Sequence, residues 1–278
     1  MEIAEPNWAR GFRQGWEVAE EYEIIAGVLR MKGAIRRVYS PMMHPEIPWK
    51  LAKLRRGDEA GLLEFARTYG RLGYSNLVEP ERRRGGDPLP WIWLHVETLQ
   101  MCMNLLYFLQ EKDEERDVDR LAGYLRSLCG PFPFPVDHEH WPAAIVAERG
   151  TSRAHFWRFP ATPKQLAYSA YYDVQEIEGL AQKICIDVVN ANVGVATELG
   201  NVKGKIRWFF HFQALIEAAY WHLGNAMQAG SIERCIAEDC GALFIQTHGR
   251  QKHCPPPFGQ GKSRCANRAR QRRCRQKR

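Results

Sequence analysis

No unbroken apolar run in the 278 residues reaches the ~20 needed to span a bilayer. Glu97 interrupts Trp91–Leu109 and Glu217 interrupts Trp208–Leu223, so both read as core helices. The first residues, MEIAEPNWARGF, lack a basic segment followed by an apolar one, and no secretory signal is read there. The expectation is a cytoplasmic protein without a membrane partner. No internal repeat and no long low-complexity tract occurs. Catalytic signatures are missing too: there is no G-x-S-x-G, no G-x-x-x-x-G-K-[ST] and no H-E-x-x-H. A non-enzyme is expected. Hydrophobic residues at 45% and charged residues at 26% are ordinary for a globular chain, which excludes wholesale disorder and fibrous repeats.

Acidic charge is scarce at one end. Residues 231–278 hold 12 Lys and Arg against three acids, Glu233, Glu238 and Asp239, a local charge of +9. The other 230 residues carry 27 basic and 29 acidic side chains. A near-neutral body with a basic end points to a module that meets a polyanion, or to a solvated basic tail.

The cysteines divide in the same way. Cys102, Cys129 and Cys185 are scattered in apolar surroundings, where buried inert thiols are the default. Cys235, Cys240, Cys254, Cys265 and Cys274 fall within 40 residues. The first four are spaced C-x4-C-x13-C-x10-C. Two close thiolates on a turn, a hairpin-length gap and a second pair form a tetrahedral sulfur site that favours one structural Zn2+. Gly241 suits the backbone reversal after Cys240. Leu243-Phe244-Ile245 reads as a strand, Thr247-His248-Gly249 as a turn, and Cys265 opens a helix-compatible stretch, Ala266–Lys277. Knuckle, hairpin and helix in that order make a treble-clef-like arrangement. The metal ligands read from it are Cys235, Cys240, Cys254 and Cys265, with His253 and Cys274 as the other candidates for the fourth place.

The segments CIAEDCGALF, HC and CANRARQRRCRQKR resemble the CGNR-type zinc finger of bacterial proteins. The resemblance covers about 45 residues. Asn267 and Arg268 match its Asn-Arg, and Phe244 matches the hydrophobic position behind the knuckle. Ala266 stands where that signature has Gly, and the gap from Cys254 to Cys265 is longer. Proteins with this finger often carry an N-terminal helical domain called ABATE and are described as stress-related transcription regulators. The resemblance therefore implies zinc binding and a regulatory role.

From Arg264 to Arg278 the chain has eight basic residues and no acid. Arg264, Arg268, Arg272 and Arg275 recur on one helical stripe, and Arg270, Arg273 and Lys277 on another. Such a helix repels itself unless an opposing charge relieves it, and a phosphate backbone would do so while releasing counterions. Arginine suits bidentate contact with phosphate or guanine. Asn267 can read adenine or bond local backbone. Duplex DNA is the favoured partner, with RNA and an acidic protein surface as alternatives.

Residues 1–230 read as mainly helical with a small β component, a body that senses a ligand or mediates assembly. Helices are expected over Glu59–Tyr69, Pro90–Gln110, Asp117–Leu128 and Ile206–Ala226. Lys183–Val195 is ambiguous, since Ile184, Ile186, Val188 and Val189 favour strand. Breaks are read at 79–88, a solvated linker whose three arginines can add a phosphate contact, and at 130–137. Trp91, Trp93, Trp157, Trp208 and Trp221 fill core or line a ligand pocket. His138 and His140 form a surface loop or, on one strand face, a metal pair. His248 or His253 beside the metal would suit a treble-clef nuclease. The leading expectation is a zinc-finger, DNA-binding transcription regulator. The alternative is a structural subunit whose finger docks on a protein or nucleoprotein complex.

Overall fold

The computed structural model describes residues 15–78, 85–110, 118–129, 177–194, 196–202, 205–229, 232–246, 248–256 and 263–276. The described part begins with a long hairpin. Strand β1 (Trp16–Ile25) pairs antiparallel with β2 (Val28–Tyr39), from Ile25 opposite Val28 to Trp16 opposite Tyr39. Two residues join them, Ala26 and Gly27, with φ of 49° and 73°. This left-handed pair matches the twist of the strands it links. A two-residue strand, β3 (Asp87–Pro88), extends the sheet to the order β1-β2-β3.

The hairpin was not read from the sequence, and β3 falls in the stretch read as solvated linker. Asp87 is instead fully buried, pairs with Arg71 at 3.3 Å, and accepts backbone bonds from Gly73 and Tyr74 at 3.0 and 2.9 Å. These bonds answer the cost of burying a carboxylate. Residues 79–84 and 130–176, which include the break at 130–137, His138, His140 and Trp157, lie outside the described residues.

Helix α1 (Ile47–Leu51) follows a short 3-10 turn at Pro41–Met43. Helix α2 (Glu59–Tyr69) has the bounds expected for it. Asp58 caps it by accepting from the Gly61 N–H at 2.9 Å, and Gly70, with φ of 89°, ends it. Leu62, Phe65, Ala66 and Tyr69 are its buried stripe, turned toward β1. After the short α3 (Tyr74–Val78), the central element is α4 (Leu89–Gln110), 22 residues and about 33 Å long. It is buried around much of its girth and packs against α1, α5 (Val118–Cys129) and α6 (Ile177–Asn192).

Two expectations are corrected here. Residues 183–192 of the ambiguous stretch belong to α6, because Leu180, Ala181, Ile184, Cys185 and Val188 line one helical stripe and all are fully buried. The single helix expected over Ile206–Ala226 is split. Its first part is β5 (Lys205–His211), paired with β4 (Ala196–Val202), and its second is α7 (Leu215–Ala229). Glu217 marks the start of α7 by accepting the backbone N–H groups of Gln213 and Ala214. Burial still pushes its carboxyl up to about 8, against the two N–H bonds. The architecture is mainly helical with three small sheets among the described residues.

Candidate metal centre

Strand β6 (Ile232–Arg234) pairs with β7 (Leu243–Ile245) and delivers Cys235 to the start of a knuckle. The Cys235 N–H bonds Ala242 O at 2.9 Å, and the Cys240 N–H bonds Ala237 O at 2.9 Å. Gly241 turns the chain with φ of 54°. The knuckle is therefore the tip of the β6–β7 hairpin rather than an element preceding it. Phe244 is fully buried beneath it. The chain then turns at 248–251, where the Gln251 N–H bonds His248 O at 2.9 Å, and the Ile236 N–H bonds Lys252 O at 3.1 Å. The second bond brings Cys254 alongside the knuckle. Helix α8 (Arg264–Gln276) supplies Cys265 in its first turn, with Ser263 Oγ accepting the Ala266 N–H at 3.3 Å.

The Sγ atoms of Cys235, Cys240, Cys254 and Cys265 lie within 4.8 Å of one another. The Cys240 and Cys254 sulfurs are 3.5 Å apart. A tetrahedral metal with bonds of about 2.3 Å sets its sulfurs roughly 3.8 Å apart, so the four thiols fit one ion. His253 and Cys274 are not in this group. Cys274 is exposed and nine residues beyond Cys265 on α8, about 13 Å along the axis. His253 is half-buried and His248 exposed.

Three of the four thiols are buried and Cys240 is partly exposed. Burial pushes the Cys254 thiol up, opposed by the nearby Lys53 ammonium. Cys240 is held down to about 7: burial opposes ionisation, but the Ala242 backbone, Cys254 and Lys53 favour the thiolate. Metal binding requires thiolates, so a bound ion would displace the remaining protons.

The basic helix is not the uncompensated cylinder that its sequence implies. Arg268 pairs with Asp239 at 2.6 Å and donates to Cys265 Sγ at 3.6 Å. Arg272 meets Glu238 at 3.1 Å and Asp239 at 3.5 Å. Two of the four arginines on the first stripe thus face the knuckle, and the knuckle's acids supply the opposing charge. Arg264, Asn267, Arg270 and Arg275 are exposed. Arg273 lies within α8, and Lys277 falls outside the described residues.

The centre also touches the body. Hairpin β6–β7 packs on α1 and α4. Lys53 reaches across with Nζ 3.5 Å from Cys254 Sγ and 4.0 Å from Cys240 Sγ. A cleft of about 470 Å³ opens along this seam, lined in part by Trp49, Lys53, Arg55, Asn104, Arg234 and Cys240. Glu238 and Asp239 were legible as acids inside a basic segment, although their pairing was not read. Lys53 carries no sequence signal, because it lies 201 residues from Cys254.

Among the described residues no helix is long and apolar enough to cross a membrane. No family model, curated protein or solved structure matches this chain.

Proposed function

We propose that the chain is a zinc-finger nucleic-acid-binding protein, a DNA-binding transcription regulator of the cytoplasm, with no catalytic role. The observation that carries this reading is an acid-free helix rooted on a metal-ligand cysteine, with Arg264, Arg270 and Arg275 exposed along it. Four thiolates close the shell around Zn2+ and leave no place for a reactive water, so the ion is structural. It would fix α8 against the knuckle, and the exposed arginines would meet phosphates. The resemblance of CANRARQRRC to the CGNR-type signature supports the same reading. The body would sense a ligand or mediate assembly.

The test is binding of the zinc-loaded chain to duplex DNA, single-stranded DNA and RNA across a salt series. Duplex preference is expected, with log affinity falling linearly against log salt. The triple variant R264E/R270E/R275E should lose at least tenfold in affinity while retaining its zinc. Unchanged binding would remove α8 from the interface.

A second reading is favoured by the packing of β6–β7 on α1 and α4. In that reading the finger is a docking element that recognises a protein surface, and its first surface is the chain's own body. Negligible binding to all three nucleic acids at low salt would select it.

A further inference from the structure

A divalent ion held by four thiolates leaves an excess of about two negative charges at the centre. Burying such a group without compensation is costly. Two cations stand against its sulfurs, and they come from distant parts of the chain. Lys53, just after α1, places Nζ 3.5 Å from Cys254 Sγ and 4.0 Å from Cys240 Sγ. Arg268, on α8, donates to Cys265 Sγ at 3.6 Å. Each offsets part of that excess, and Arg268 shares its charge with Asp239.

We infer that Lys53 and Arg268 are charge-compensating partners of the metal centre, and that through Lys53 metal occupancy tightens the packing of this module on the helical body. The inference rests on the metal reading above but not on nucleic-acid binding. Lys53 is aimed by its surroundings: its ammonium lies 4.5 Å from the centroid of the Trp49 ring, and Trp49 is buried in α1. A cation over an indole face gains electrostatically, which holds the ammonium on the side of the sulfurs. Helix α1 also packs directly on β7. Arg268 is fixed from its other side by Asp239 at 2.6 Å. Both cations are therefore positioning residues. Neither supplies a metal-binding atom. Their role is to make four clustered thiolates tolerable.

The test uses the whole chain and Co2+ as the probe. Its sulfur-to-metal charge-transfer absorption reports the thiolate set, and a competing chelator gives the affinity. K53Q and R268Q should each weaken Co2+ binding 10- to 100-fold, the range for groups that support metal ligands. K53R, which keeps the charge, should recover most of the loss. The absorption band at saturation should be unchanged, because the four ligands are unchanged. A second readout is amide hydrogen exchange over Ile47–Leu51. Metal loading should slow it in the parent chain, and that gain should shrink in K53Q.

Affinity of K53Q within twofold of the parent, or K53R as weak as K53Q, would overturn the role of Lys53. The corresponding result for R268Q would overturn that of Arg268. A parent chain that gives no thiolate-to-cobalt band would overturn the metal reading itself, and this inference with it. Because Lys53 is exposed, K53Q should melt like the parent when both are metal-free. A lower metal-free melting point would point to a packing role instead and count against the inference.

Discussion

Glu238 and Asp239 decide which arginines of α8 are available. Arg268 and Arg272 are turned to them, so the outward charge of the helix is smaller than its sequence suggests. Exposed ion pairs are worth about 0–1 kcal/mol each, weak enough for a phosphate to compete with them. The double variant E238Q/D239N removes that competition. It should raise nucleic-acid affinity several-fold and steepen its salt dependence, as read by fluorescence anisotropy. Equal or weaker binding would mean that the two acids hold the helix in its working orientation. A second residue-scale expectation concerns His95. It is fully buried on α4, with Nδ1 3.0 Å from Tyr220 Oη, and burial lowers its pKa to about 3. The unfolded chain takes up this proton near the ordinary value of 6.5, whereas the folded chain resists it until about 3. The associated stability is full above pH 6.5 and is lost as pH falls toward 3. Urea unfolding at stepped pH should show this loss in the parent chain and a smaller one in His95→Gln.

At the scale of elements, α7 depends on its first turn. Glu217 is the buried acceptor for Gln213 and Ala214, so Glu217→Ala leaves two backbone donors without their partner. A cost of about 1–2 kcal/mol in denaturant unfolding is expected. An unchanged midpoint would show that these donors find another acceptor. This turn also explains what was hard to read. Phe209, Phe212 and Ile216 keep helical spacing across the join between β5 and α7, so periodicity alone runs through it. Only the Glu217 cap and the pairing of β5 with β4 reveal the break. In α6 the sequence is ambiguous, because β-branched residues favour strand while Leu180, Ile184 and Val188 hold a helical stripe, and the buried stripe decides it. Helix α2 was legible because Leu62, Phe65, Ala66 and Tyr69 keep helical spacing and Gly70 follows them, and the structure adds the Asp58 cap. The β1–β2 hairpin was missed although Ala26-Gly27 is a usable turn signal, since charged residues obscure the alternation around it. The four-cysteine cluster was the most legible feature. Four thiols at short spacings have few other uses, and they converge as expected.

For the whole molecule, the four-cysteine module and the body share one core. Cys235, Phe244, Ile245, Cys254 and Cys265 belong to the same buried cluster as Trp49 and Leu99. An ion that binds only the folded chain adds about 4 kcal/mol when present at a thousandfold excess over its dissociation constant. For a chain of this size that corresponds to roughly 10 °C in Tm. Chelation should therefore lower the melting of the entire chain, with amide protection falling in α1 and α4 as well as in the knuckle. A calorimetric trace in which the body's transition stays fixed while a separate small one disappears would contradict this. The span between Lys53 and Cys254 also sets an order of events during synthesis. The ammonium meets no cluster sulfur until Cys240, 187 residues later, and its nearer partner Cys254 comes 201 residues after it. Closing so long a loop is slow, and sequence-distant contacts form late. The exposed flanks of α1 and α4 would then wait for their cover while the ribosome is still at work. A nascent chain halted before Cys235 should present those flanks to a chaperone, and metal added at that stage should not shield them.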